Sequence, residues 1–102
     1  AMTVSKEVEK TDIPAVFAMD QNYPNPFNPS TNIRFSLPQA SNVTLAVYDM
    51  LGRKVATLIN GEQMNAAYHT VKFDASALAS GMYIYRIEAG SFVSTKKMML
   101  IK

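Results

Sequence analysis

Three lysines lie within the last seven residues of the chain, interleaved with long apolar side chains. The segment reads Lys96, Lys97, Met98, Met99, Leu100, Ile101 and Lys102. Ammonium groups bind carboxylates, while apolar side chains of a strand can bury against a sheet and leave the lysine heads in water. The segment therefore predicts a charged terminal strand that a partner could bind. Taken alone, the same lysines also suit an edge strand protected against sheet-to-sheet aggregation.

The residues that could act as nucleophile or acid–base catalyst form no recognisable motif. His69 is the single histidine, and a lone histidine on the inward face of a strand usually has a packing role. Ser36, Ser76, Ser80 and Asp74 could supply a hydroxyl and a carboxylate, but none lies in a nucleophile-elbow sequence. We therefore expect no catalytic residue and no enzymatic activity.

The sequence also contains no residue pattern typical of a metal or cofactor site. The chain has no cysteine, which excludes a disulfide framework and a thiolate metal site. The acidic residues lack the spacing of a calcium-binding loop. Asp49 and Asp74 each end a predicted strand, where capping of the following turn explains them. We expect no metal and no cofactor.

Composition limits the class of protein. A chain of 102 residues with 48% hydrophobic and 18% charged residues is long enough for one domain with its own core. A net charge of +2 is too small to indicate nucleic-acid binding, and no apolar run is long enough to span a membrane. Residues 1–14 suggest a flexible linker. Its first two residues, Ala1-Met2, resemble a cloning scar, so we expect the chain to be a fragment of a longer protein. Residues 15–102 are expected to form the folded domain.

Alternation of apolar and polar residues predicts an all-β domain. In 32–37 and 42–49, for example, every second residue is apolar. Around Val55 and Leu58 the alternation is out of phase, which predicts a bulge or a change of twist. The predicted strands are 15–23, 32–37, 42–49, 54–59, 68–74, 82–89 and 92–101.

Turn-forming residues separate these strands. Three prolines within residues 24–30 predict an ordered loop, with Phe27 holding it to the core. Asn60-Gly61 predicts a turn followed by a loop over 62–67. Residues 74–81 predict a one-turn helix that ends at Gly81.

About seven strands at 8–12-residue spacing are typical of an antiparallel sandwich with immunoglobulin-like topology, with a closed barrel as the alternative. Tyr83 directly follows the crossover before its strand. Its hydroxyl is expected to bond upstream backbone, as in a tyrosine corner.

Several phrases, in order, resemble the type A C-terminal sorting domains of the type IX (Por) secretion system. They are NYPNPFNPST at 22–31, VYDMLGRKV at 47–55, FDAS at 73–76, LASGMYIYR at 78–86 and KKMMLIK at 96–102. The resemblance covers about residues 20–102. The immunoglobulin-like domain of flagellar hook-capping proteins is a similar fold and an alternative label.

The resemblance implies a sorting signal at the end of a larger secreted cargo protein. Such domains fold in the periplasm, are recognised by an outer-membrane translocon, and are usually removed by a sortase-like protease. The cargo then reaches the cell surface or the medium. The family's recognition motifs correspond to Gly81, Tyr83, Lys96, Lys97 and Lys102.

Charge alone cannot supply the affinity of such a contact, because an exposed ion pair contributes only about 0–1 kcal/mol. Met98 and Leu100 are therefore expected to add apolar docking. A different class of function, an accessory carbohydrate-binding or structural module of a glycoside hydrolase, predicts an exposed aromatic platform on one sheet face.

Overall fold

A computed structural model describes residues 13–102, which form two antiparallel sheets. The strands are β1 (Ala18–Met19), β2 (Ser30–Leu37), β3 (Ser41–Asp49), β4 (Lys54–Met64), β5 (Ala67–Asp74), β6 (Gly81–Ala89) and β7 (Phe92–Leu100). One sheet has the order β1-β2-β5 and the other the order β4-β3-β6-β7. Two separate sheets enclosing one core confirm the predicted sandwich over the closed barrel.

The strand order is immunoglobulin-like, with one strand moved between sheets. In a constant-type immunoglobulin domain the fourth strand joins the sheet of the first, second and fifth strands. Here β4 pairs instead with β3, along almost its whole length. The result is a three-stranded sheet facing a four-stranded sheet that has β7 at its edge.

The core consists of the inward side chains that the period-two pattern predicts. In β2 the side chains of Ile33, Phe35 and Leu37 have at most 1% of their surface exposed. The other strands continue this core with Val43, Leu45, Val47, Phe73, Tyr83, Tyr85, Ile87, Met98 and Leu100. Fully burying one such large apolar side chain contributes about 1.5–3 kcal/mol, so this core supplies most of the driving force for folding.

Strand β4 departs most from the sequence prediction. Asn60-Gly61 was expected to be a turn, yet both residues lie inside β4, which continues to Met64. Pairing shifts from Val43–Glu62 to Leu45–Ile59. Asn60 and Gly61 on β4 therefore lie opposite one residue of β3, the residue between Val43 and Leu45. The positive φ of Gly61, 64°, serves this bulge rather than a hairpin. The turn prediction was therefore wrong, and the loop predicted over 62–67 is reduced to residues 65–66.

Two further register shifts show that the irregularity predicted near Val55 and Leu58 is a bulge at each residue. Ala46 pairs with Thr57 directly after Leu45 pairs with Ile59, which leaves Leu58 as the extra residue. The next shift leaves Val55 as an extra residue in the same way. These insertions put the strand's apolar residues out of phase.

Two local predictions were only partly right. The strand expected over 15–23 is reduced to Ala18–Met19 and an isolated bridge from Tyr23 to Asn32. The one-turn helix expected over 74–81 is instead a hydrogen-bonded turn in which the Leu78 N–H donates to the Ala75 carbonyl at 2.9 Å. The predicted linker falls almost wholly outside the described residues. No helix in residues 13–102 has the length and apolarity needed to cross a membrane.

Candidate functional site

Strand β7 sorts the terminal residues onto two faces. Met98 and Leu100 point into the core and are fully buried, with Lys96 half-buried on the same face. Lys97 and Met99 alternate with them on the outer face, where Lys97 is exposed. The expectation that Met98 and Leu100 offer apolar docking side chains is therefore corrected for the folded domain. Their burial fixes the strand that carries the lysines.

The outer edge of β7 is covered near its end by residues 20–29, here called the proline segment. The Phe27 N–H donates to the Met99 carbonyl at 3.0 Å, and the Ile101 N–H donates to the Phe27 carbonyl at 3.0 Å. Asn25 Oδ1 accepts from the Met99 N–H at 3.0 Å. A short parallel bridge between Phe27 and Leu100 results. The Lys97 carbonyl also accepts a hydrogen bond, from Gln21 Nε2 at 2.6 Å. The backbone groups on the outer edge of β7, which could otherwise pair with another strand, are therefore occupied from Lys97 onward.

A buried polar network anchors the proline segment to β6. The Tyr85 hydroxyl accepts from the Asn22 N–H at 2.8 Å and donates to the Asp20 carbonyl at 2.8 Å. The Asn22 side chain, 2% exposed, donates to the Pro24 carbonyl at 3.1 Å and to Thr31 Oγ1 at 3.0 Å. Burial, with a smaller contribution from the Asp20 charge, raises the pKa of Tyr85 to about 12. The hydroxyl therefore stays protonated at neutral pH and keeps both bonds.

Phe27 supplies the apolar half of this anchor. Its side chain is 2% exposed and its ring centroid lies 6.2 Å from that of Phe73. Tyr23, four residues earlier, is 78% exposed. This confirms the expectation that Phe27 holds the proline-rich loop to the core.

Gly81 and Tyr83 shape the corner where the crossover from β5 enters β6. Gly81 has φ near 151°, a conformation that side-chain-bearing residues rarely adopt. The Tyr83 hydroxyl donates to the Ala79 carbonyl at 2.6 Å, which confirms the predicted tyrosine corner. Gly81 pairs with Leu100, so this corner lies beside the end of the tail.

The segment between β5 and β6 also binds Lys102. The Lys102 N–H donates to Ser80 Oγ at 3.0 Å, and the Lys102 ammonium donates to the Ser76 carbonyl at 2.7 Å. Within residues 13–102, none of Lys96, Lys97 and Lys102 forms an ion pair with a carboxylate. After the larger effect of the Ser76 hydrogen bonds, the Lys102 charge nevertheless helps to lower the pKa of Asp74.

The candidate catalytic side chains have separate structural tasks. His69 stacks on Phe35 at 5.3 Å, and its Nε2 lies 2.9 Å from the Asn65 carbonyl oxygen. The Ser36 hydroxyl donates to a backbone carbonyl in the segment before β1. Hydrogen bonds from Ser76 lower the pKa of Asp74, whose carboxylate caps the following turn. No group of three potential metal ligands occurs among the described residues.

The surface tyrosines do not build one aromatic platform. Tyr68 lies in β5 of the three-stranded sheet, where the Arg34 guanidinium sits 4.6 Å from its ring centroid. Tyr48 lies in β3 of the other sheet. Tyr83 and Tyr85 are core residues. These positions give the carbohydrate-binding alternative no support.

Comparison with known proteins identifies the family of the chain. Residues 21–102 match the family model described as the secretion system C-terminal sorting domain. No curated protein matches the chain. The match includes both the proline segment, from Gln21 onward, and the terminal strand that it covers. The chain therefore belongs to the family of type IX secretion C-terminal sorting domains.

Proposed function

We propose that this sorting domain works by binding alone, through recognition of its terminal strand by the outer-membrane translocon. The cargo carrying it crosses the periplasm, passes the translocon and reaches the surface or the medium. A sortase-like protease then removes the domain. The observation that carries the proposal is β7 itself, an edge strand whose lysine charges meet no carboxylate among residues 13–102.

Each predicted site residue has a distinct part in this mechanism. Lys96, Lys97 and Lys102 supply positive charge that steers and orients an acidic receptor surface. Met98 and Leu100 act from inside the core, where they fix the position of the strand. Gly81 and Tyr83 form the corner against which the tail ends. Recognition thus requires the folded domain as well as the terminal sequence.

The test must preserve the fold. Deleting residues 96–102 would remove Met98 and Leu100 from the core, so loss of export would not distinguish recognition from unfolding. Replacing the three tail lysines with glutamine removes charge and keeps the apolar anchors. The full chain, fused to a reporter in a type IX host, is the substrate for export.

We expect the triple glutamine variant to lose about tenfold in export rate, equivalent to about 1.4 kcal/mol of binding. The control is Lys72→Gln, which removes an exposed lysine from β5 in the opposite sheet. Equal export of the triple variant and the control, with unfolding temperatures unchanged, contradicts the proposal.

A further inference from the structure

We propose that the apolar part of translocon recognition lies on the outer face of the four-stranded sheet, and that its partner is a protein surface with carboxylates beside an apolar patch. This inference rests on the proposed sorting function. The surface lies within the phrases that carry the resemblance, but none of its residues is among the recognition residues Gly81, Tyr83, Lys96, Lys97 and Lys102. Its residues are Tyr48, Met50, Leu51, Met82, Ile84 and Met99, here called the outer face.

The two simpler ways of binding the tail are restricted. Met98 and Leu100 are buried, so they offer no side-chain surface. Pairing of a partner strand along the end of β7 is obstructed because Phe27 already bonds Met99 and Ile101 there. The outward side chains of the tail remain, and Met99 is the apolar one within the strand near its end.

Strand register places Met99 in a continuous apolar surface. Met99 pairs with Met82, and the next residue of that face on β6, Ile84, pairs with Tyr48 on β3. Residues directly opposite in antiparallel strands share a face and touch. The inward positions between them, such as Tyr83, are buried, which confirms that these side chains point outward.

The turn after β3 carries two more exposed apolar side chains at this end of the sheet. Leu51 is 79% exposed and Met50 is 53% exposed, in the turn that directly follows Tyr48 and Asp49. Large apolar side chains grouped at one end of a sheet mark an interaction site more often than scattered ones do. Methionine is unbranched and flexible, so this surface can adapt to a partner's shape.

A row of cross-strand partners sets the charge of the surface. Lys54, Tyr48, Ile84 and Lys97 pair in succession across β4, β3, β6 and β7. The row spans three inter-strand spacings, so its two lysines are about 14 Å apart at the backbone. An aromatic and an aliphatic side chain thus lie between two exposed ammonium groups.

The neighbouring arginines form ion pairs with carboxylates, whereas the two lysines form none within residues 13–102. Arg53 pairs with Asp49 at 2.8 Å and Arg86 pairs with Glu88 at 3.0 Å. Within residues 13–102, Lys54 and Lys97 have no such carboxylate. A partner that supplies two carboxylates on either side of an apolar patch therefore complements this surface in both charge and polarity.

The experiment places negative charges inside the outer face and, as a control, one negative charge outside it. Met82→Glu and Leu51→Glu alter exposed positions of the outer face, and the double variant carries both. Val93→Glu is the matched control, because Val93 is 50% exposed on the same sheet face at the opposite end of β7. Export of the full chain fused to a reporter is measured, and unfolding of each purified variant verifies the fold.

We expect the double variant to lose about tenfold in export and Val93→Glu to change it less than about twofold, since buried apolar anchors dominate interface energetics. Lys54→Glu combined with Lys97→Glu should lose export to a similar extent. If the double Glu variant folds and is exported like Val93→Glu, the outer face is not the docking surface.

Two further outcomes separate this inference from its alternatives. Loss of export in the tail lysine variant, with normal export of the Met82 and Leu51 variant, overturns the outer face and leaves the sorting function intact. Normal export in both sets contradicts both proposals. Flotation of the wild-type chain with phosphatidylglycerol vesicles, abolished by the same double substitution, would replace the protein partner with a lipid surface.

Discussion

Phe27 and Leu100 lie side by side on parallel backbone segments, because Phe27 donates a hydrogen bond of 3.0 Å to Met99 and accepts one of 3.0 Å from Ile101. Both side chains are buried in the same core. The proline-rich phrase near the start of the domain and the lysine-bearing phrase at its end are thus one structural unit. Substitutions in the proline-rich phrase should therefore destabilise the lysine-bearing phrase.

Phe27→Ala should destabilise the domain by about 3–5 kcal/mol, because it removes a buried aromatic side chain and leaves a cavity. The measurement is chemical denaturation followed by circular dichroism. Tyr23→Ala in the same segment is the matched control, since Tyr23 is 78% exposed, and its effect should stay within about 0.5 kcal/mol. Hydrogen exchange at the Ile101 amide should accelerate in the Phe27 variant alone. Similar stability of the two variants would show that Phe27 does not anchor the segment.

Tyr85→Phe should cost about 1–3 kcal/mol, because it leaves the buried Asn22 N–H without its acceptor and the Asp20 carbonyl without its donor. The free energy of unfolding at pH 7 measures this loss. Tyr68→Phe is the comparison, because the Tyr68 side chain is about half exposed. Loss of its hydroxyl should leave the free energy of unfolding nearly unchanged. A neutral Tyr85→Phe would mean that water replaces the hydroxyl.

The stability of the domain should fall as pH rises through the window from 10 to 12. The pKa of Tyr85 is raised from 10.0 to about 12 in the folded chain, chiefly by burial. Between these values the unfolded chain binds fewer protons than the folded chain, so the free energy of unfolding decreases with pH. Comparison of wild type with Tyr85→Phe at pH 8 and pH 11 isolates this group. Parallel loss in the two proteins would contradict the assignment.

Gly81→Ala should destabilise the folded domain by about 1–3 kcal/mol even without any translocon, because φ near 151° is strained for a residue with a side chain. An added Cβ meets no atom within 4 Å, so the cost comes from the backbone alone. Thermal unfolding of the isolated chain measures it. Wild-type stability combined with lost export would instead make Gly81 a direct contact residue.

Sequence periodicity predicted the faces of most strands correctly because burial is nearly complete on one side of each. Ile33, Phe35 and Leu37 illustrate this, since a shift of one residue would place all three in water. The tyrosine corner was also predictable, because Tyr83 follows a short crossover and has its bonding partner four residues upstream. These features depend on local sequence and on simple alternation.

The remaining features depend on contacts distant in sequence. Asn60-Gly61 has the residues of a turn, yet β3 is long enough to pair with the chain on both sides of it, so the dipeptide forms a bulge. The pairing of Phe27 with the tail joins residues more than seventy positions apart, and no periodicity in the sequence predicts it. Burial of Met98 and Leu100 follows from alternation, whereas the docking role expected of them rests on the weakness of exposed ion pairs.

The bridge between the proline segment and the tail also links folding to the order of protein synthesis. Strand β7 follows every other strand, so it is the last to be made. Until then Phe27 lacks its backbone partners, and the core lacks Met98 and Leu100. A ribosome that stops early yields cargo with an unfinished sandwich. Export that depends on the folded domain would then exclude polypeptides truncated before β7.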